Sequence, residues 1–319
     1  MDGMTDTTAR GAIETASIQQ HTLKTAISCV GVGLHGGQRV HLSMLPAPVG
    51  TGIVFRRTDL AIDIPADARL VTDTRLCTQV THPDHPHAFV RTVEHVMAAL
   101  AGLGIDNAIV AVDGPEVPVL DGSSAAFVFL IDCAGRQRQA AARQVIEILR
   151  PVRVSHGEAT AELRPGGAGL DMNLSIDFAA PAIGRQALSL SLTEQGFRTV
   201  LANARTFTML HEIEALQAAG LARGGSLENA VVVDGARVLN PGGLRSPDEF
   251  VRHKMLDAVG DLATAGAPIH GRFIASRTGH ALNNRLLRAL FADERAWRLV
   301  SLEQAGWSHG AYSVAAQAA

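Results

Sequence analysis

Residues 250–261 read Phe250-Val-Arg-His253-Lys254-Met255-Leu-Asp257-Ala-Val-Gly260-Asp261, and residues 92–102 read Thr92-Val-Glu94-His95-Val-Met97-Ala-Ala-Leu-Ala-Gly102. Both stretches suit helices, and both place His, Met and Gly at the same offsets: His95 with His253, Met97 with Met255, Gly102 with Gly260. A match this short also arises by chance. If it is genuine, the chain holds two related domains that face each other, and each helix offers a His to one shared ion.

On a helix, His253, Asp257 and Asp261 stand at i, i+4 and i+8 and share one face. Neutral imidazole plus carboxylate is a zinc-type ligand pair. A catalytic zinc needs a third protein ligand and an open position. His95 offers that ligand, with a carboxylate, Glu94, beside it. The alternative for both segments is a solvated helix face. Against it, Val96–Ala101 and Met255, Leu256, Ala258 and Val259 make these helices apolar, and ionisable groups in such surroundings need partners.

The flanking pattern is mixed. Residues 1–18 read as a disordered arm, and 20–80 as strands and turns, with 40–45 alternating and 31–37 a Gly-rich loop. A helix is expected over 90–102, a strand from 107, and a helix after Gly122 with Ser123 or Ser124 as its N-cap. The polar, Ala-rich stretch 136–143 reads as a linker. It divides a first domain (19–140) from a second (141–303), with a tail at 304–319. The second domain should hold strands over 145–154, 159–163 and 170–178, helices over 210–219 and 247–265, a strand over 271–276 and a helix over 281–291. Strands then helices in each half predict the α+β class, not a doubly wound sheet.

Composition narrows the function. A formal charge of −3, with no basic stripe and 4% aromatic residues, argues against nucleic-acid partners. Three scattered cysteines form neither a CxxC pair nor a disulfide framework. No apolar h-region opens the chain and no apolar run spans a bilayer, so a cytoplasmic location is expected. His82, His85 and His87 lie in a Pro-rich stretch read as a hairpin tip rather than a metal site. His280 sits at a loop-to-helix junction. It is either a helix-end residue or an acid at the mouth of a site, with Asp261 as the carboxylate holding its charged form. Thr206, in Ala204-Arg-Thr206-Phe207, is expected at a strand end, either as a rim hydroxyl or as an N-cap.

Several motifs in order carry a resemblance: TAISCVGVGLH at 25–35, TVEHVMAALAGLGIDN at 92–107, DGPEVPVLDGS at 113–123, ARTF at 204–207, GGSLENA at 224–230, RHKMLDAVGDL at 252–262 and SRTGHALNN at 276–284. The sequence resembles the UDP-3-O-acyl-N-acetylglucosamine deacetylases, zinc amidases of lipid A synthesis in Gram-negative bacteria, from about residue 20 to 301. The long arm and the tail depart from the pattern.

The resemblance implies two similar domains, each a β-sheet layer with two helices, the helices packed together between the sheets. It implies one Zn2+ per chain on His95, His253 and Asp257, with Glu94 as general base. His280, backed by Asp261, becomes the cationic acid and oxyanion partner, and Thr206 the hydroxyl donor to the oxyanion. Lys254 becomes a substrate-binding residue. Phe207, Ile213, Leu221, Ala222 and Ala230 fall along a passage for the acyl chain, to which the spacing of Leu216 and Leu227 also points. The implied substrate is an acylated UDP-sugar, whose acyl chain brings the enzyme transiently near a membrane surface. A monomer is expected. The competing readings are a non-catalytic relative that binds the acylated sugar nucleotide or a partner protein, and a hydrolase of another amide.

Overall fold

A computed structural model of the protein describes residues 18–302. The predicted arm, apart from Ile18, and the predicted tail lie outside the described residues. In the first half, β1 (Ile27–Val32), β2 (Arg39–Pro46), β3 (Ile53–Arg57), β4 (Ile62–Pro65) and β5 (Ala108–Val112) form one sheet in the order β1-β2-β5-β3-β4. All neighbours are antiparallel except β3 and β5, which run parallel. α1 (Glu94–Gly102) precedes β5, and α2 (Ala125–Ala134) follows it.

The second half repeats this plan. After β6 (Gln144–Ile148) come β7 (Val152–His156), β8 (Ala159–Arg164), β9 (Leu170–Asp177) and β10 (Arg185–Ser191). Helices α3 (Leu210–Ala218) and α4 (Glu249–Ala263) follow, then β11 (Ile269–Ser276), α5 (His280–Ala292) and β12 (Trp297–Ser301). The strand order β7-β8-β11-β9-β10 has the same pairing directions as the first sheet. β6 and β12 extend it, β6 pairing with the start of β11. α4 precedes β11 as α1 precedes β5. The sequence echo between these two helices therefore matches a repeat in topology.

Alternation gives each sheet one apolar face. Val40, Leu42 and Met44 of β2 and Leu170, Met172, Leu174 and Ile176 of β9 point into the core. α1 and α4 are instead buried almost all round, with eight of nine and twelve of fifteen residues buried, as suits helices held between two sheets. They touch backbone to backbone, because Gly260 has no side chain: a Cβ there would lie 2.0 Å from the Glu94 carbonyl oxygen.

Several expectations are corrected. α1 begins at Glu94, not 90, because Phe89–Val90 is a strand and Thr92 takes φ +57°, which interrupts a helix. The stretch read as a linker is a strand, Arg136–Ala142, paired antiparallel with Gln19–Leu23. Its partner lies far away in sequence, so local composition gave no sign of it. The single strand expected over 145–154 is two, broken where Pro151 lacks an N–H. Ser124 occupies the α2 N-cap but makes no capping bond with its side chain. His82, His85 and His87 do sit at a hairpin tip, between Gln79–Thr81 and Phe89–Val90.

Candidate metal centre and active site

Where α1 and α4 touch, they bring ionisable groups together in the interior. His253, Asp257 and Asp261 project from successive turns of α4, and Glu94 and His95 open α1. Each is at most 4% exposed. The Asp257 Oδ1 lies 3.3 Å from His253 Nε2 and 3.6 Å from His95 Nε2. One ligand atom from each residue falls within 4.8 Å of the others, the only such His/Cys/Asp/Glu group among the described residues.

The cluster fits a metal ion. The Asp257 Oδ1 is buried and has no hydrogen-bond partner, an arrangement that costs about 1–3 kcal/mol unless something takes the lone pair. Two imidazole nitrogens and one carboxylate oxygen are the donor set of a zinc-type site. The protonation states agree. Burial lowers the His253 pKa to about 4, which keeps the ring neutral. Burial opposes the charge on Asp257, but the Lys254 ammonium beside it holds its carboxyl well below the usual range. The His253 Nδ1 is 3.0 Å from the Ala204 carbonyl. A carbonyl only accepts, so Nδ1 carries the proton and Nε2 keeps its lone pair toward Asp257.

A second group adjoins this one. His280, the first residue of α5, faces Asp261 through Nδ1 at 3.0 Å and Glu94 Oε1 through Nε2 at 4.0 Å. Asp261 also accepts from Thr78 Oγ1 at 2.6 Å and Asn283 Nδ2 at 2.8 Å. The Glu94 Oε2 accepts the Thr78 N–H at 2.9 Å. Burial alone would lower the His280 pKa; the charges of Asp261 and Glu94 overcome it and raise the value to about 9. Burial also raises the Glu94 pKa. The site thus holds a cationic imidazole and a carboxylate of raised basicity beside a metal-type donor set.

Of the remaining predicted residues, Lys254 and Phe207 adjoin this centre. Lys254 donates from Nζ to Asp257 Oδ2 at 2.7 Å. Thr206 does not end a strand as expected; it directly precedes the short strand Phe207–Met209. The Phe207 ring packs edge-on against Phe250, with centroids 5.0 Å apart, and lies 6.3 Å from the His253 ring. Ala230 is buried before Val231–Asp234, the strand paired with Phe207–Met209. Ile213, Leu216, Leu221 and Ala222 are half-buried on α3 and the loop after it, and α3 buries no residue fully. Leu227 is an exposed surface residue, 43% accessible.

Thr78 and Asn283 escaped the sequence reading. Asn283 stands one turn beyond His280, a spacing that could have flagged it. Thr78 comes from the opposite half of the chain, and nothing local marks it. His35, within the Gly-rich loop, carries no local signal either. It is buried with both ring nitrogens unpartnered, and its N–H donates to Glu116 Oε1 at 2.7 Å.

A buried His-His-Asp donor set with an adjoining carboxylate and a cationic His–Asp pair has the makings of a metal-dependent hydrolase. The family model for UDP-3-O-acyl N-acetylglycosamine deacetylase matches residues 20–292. Proteins named UDP-3-O-acyl-N-acetylglucosamine deacetylase from Shewanella sp. (strain W3-18-1), Shewanella sp. (strain ANA-3) and Shewanella baltica (strain OS155 / ATCC BAA-1091) are each 51% identical over 291 residues. These alignments cover 90% of this chain and 94% of each relative. The chain belongs to the UDP-3-O-acyl N-acetylglycosamine deacetylase family. No helix among the described residues is long and apolar enough to cross a membrane.

Proposed function

We propose that the protein is a zinc-dependent amide hydrolase that removes the N-acetyl group of UDP-3-O-(3-hydroxyacyl)-N-acetylglucosamine. The products are the free amine and acetate, in the committed step of lipid A biosynthesis. We place it in the cytoplasm as a monomer with one zinc per chain. The observation that carries this reading is the unpartnered Asp257 Oδ1 between two imidazoles, beside a carboxylate and a cationic imidazole, in a chain of this family.

His95, His253 and Asp257 would hold the metal. Bound there, zinc supplies Lewis acidity, lowering the pKa of a water and polarising an amide carbonyl. Glu94, held by the Thr78 N–H, takes the proton of the attacking water. His280, kept charged by Asp261, and the Thr206 hydroxyl stabilise the oxyanion of the tetrahedral intermediate. The departing nitrogen takes its proton from His280 or from Glu94, each of which holds one at that stage. Lys254 binds the substrate. The acyl chain follows Phe207, Ile213, Leu221 and Ala222, whose half-buried side chains leave surface for it to cover, and passes the buried Ala230; it brings the enzyme transiently near a membrane surface. A cleft of about 310 Å3 lies beside His280, and Arg285 on its wall offers a cation to the diphosphate.

The test is acetate release from UDP-3-O-(3-hydroxyacyl)-N-acetylglucosamine by purified protein, with and without a zinc chelator. Chelator-sensitive release supports the reading. No release from folded, zinc-loaded protein across several acyl lengths rejects it.

A further inference from the structure

One buried ion pair next to the site is left unused by this mechanism. Arg205 lies between Ala204, whose carbonyl accepts the His253 Nδ1–H, and Thr206. Its side chain is 9% exposed, and its partner Glu249 is fully buried in the first turn of α4. The Glu249 carboxylate accepts from Arg205 Nε at 2.8 Å, Arg205 Nη2 at 3.1 Å, the Arg205 N–H at 3.0 Å and the Arg245 N–H at 2.6 Å. Arg205 Nη2 also donates to the Gly243 carbonyl at 2.8 Å. Burial works against the charge on Glu249, yet these bonds hold its carboxyl below the usual range.

Burying two charges costs several kcal/mol per ion, and apolar residues of similar volume often serve stability as well or better. Stability is therefore a poor reason for this pair, and its location supplies another. Glu249 and His253 are one helical turn apart. Through Arg205 and Ala204 they grip consecutive residues of one loop. Thr206, the next residue, is fixed on its other side: its N–H donates to the Gly122 carbonyl at 2.8 Å, and its carbonyl accepts the Val231 N–H at 2.8 Å.

We propose that Arg205 and Glu249 are positioning residues, whose ion pair clamps the 204–206 loop onto α4 so that the Ala204 carbonyl orients the His253 ring and the Thr206 hydroxyl is aimed at the reacting centre. This rests on the reading that His253 binds metal and Thr206 serves the amide hydrolysis.

The test compares the zinc-loaded wild type with Glu249→Gln and with the apolar double variant Arg205→Met/Glu249→Leu. Three quantities are measured: the zinc dissociation constant by chelator competition, the d–d spectrum of the cobalt-substituted protein, and kcat with KM. Removing a bond that orients a metal ligand typically weakens metal affinity or activity by about 10- to 100-fold. Both variants are expected to lose zinc affinity to that extent, with a changed cobalt spectrum and a fall in kcat larger than any rise in KM. The double variant should melt lower than wild type, because the Arg205 and Arg245 N–H groups lose their acceptor and zinc is held less tightly. A folded variant with wild-type zinc affinity, cobalt spectrum and kcat overturns the proposal and leaves the pair a structural one. Should the double variant fail to fold, Glu249→Gln decides by the same readouts. If the wild type itself releases no acetate, the proposed activity fails, while zinc affinity and the cobalt spectrum still judge the clamp.

Discussion

Replacing Gly260 by Ala adds one methyl group at the point where the two central helices touch. The new Cβ would lie 2.0 Å from the Glu94 carbonyl oxygen and 2.9 Å from its Cα, whereas ordinary contacts begin at about 3.4 Å. Backbone cannot rotate aside as a side chain does, so α1 and α4 must separate by about 1.4 Å. Alanine favours a helix over glycine by about 1 kcal/mol, and overpacking costs about 1–3 kcal/mol. The fold should therefore survive with a loss of at most about 2 kcal/mol. The site should fare worse, because its groups are divided between the helices, Glu94 and His95 on one, His253 and Asp257 on the other. A misplacement of about 1 Å costs about 100-fold in rate, so kcat should drop at least that far and zinc affinity with it. Gly102→Ala is the control. Its Cβ would meet the Phe197 ring at 2.3 Å, away from the donor set, so it should lower the melting temperature and spare kcat in the folded protein. A Gly260→Ala protein with wild-type kcat and zinc affinity would refute the claim that this crossing sets the site.

Other expectations concern the site itself. Glu94→Ala should keep its zinc, measured by metal analysis, and lose most activity; a metal-free mutant would instead make Glu94 a ligand. His280→Ala should lower kcat far more than it raises KM, and an effect confined to KM would reject the transition-state role. The pH–rate profile should rise as Glu94 loses its proton and fall near pH 9 as His280 loses its own. Because the folded-state pKa of His280 is raised from 6.5 to about 9, its charge adds stability that is complete below about pH 6.5 and lost as pH rises through 9. Asp261→Asn should remove most of that dependence in thermal melts. Chelation should lower the melting temperature, since on the proposed reading zinc would bind the folded donor set and stabilise it by mass action; an unchanged melt would count against a resident metal.

Much of this was legible in the primary structure, for identifiable reasons. The i, i+4, i+8 spacing put His253, Asp257 and Asp261 on one face because helix geometry is local. The strands of β2 and β9 showed because one solvated face imposes alternation. The His, Met and Gly offsets shared by α1 and α4 marked a repeat that the matching strand orders bear out. Tertiary structure alone decided what depends on distant segments meeting. It paired Arg136–Ala142 with Gln19–Leu23, where composition suggested a linker. It brought Thr78 to both Glu94 and Asp261, 183 residues apart in the latter case. It closed Arg205 on Glu249 and left Asp257 Oδ1 open between two imidazoles from different helices. Residue spacing states which side chains share a face; only the packing of two helices across a glycine brings such faces within bonding distance.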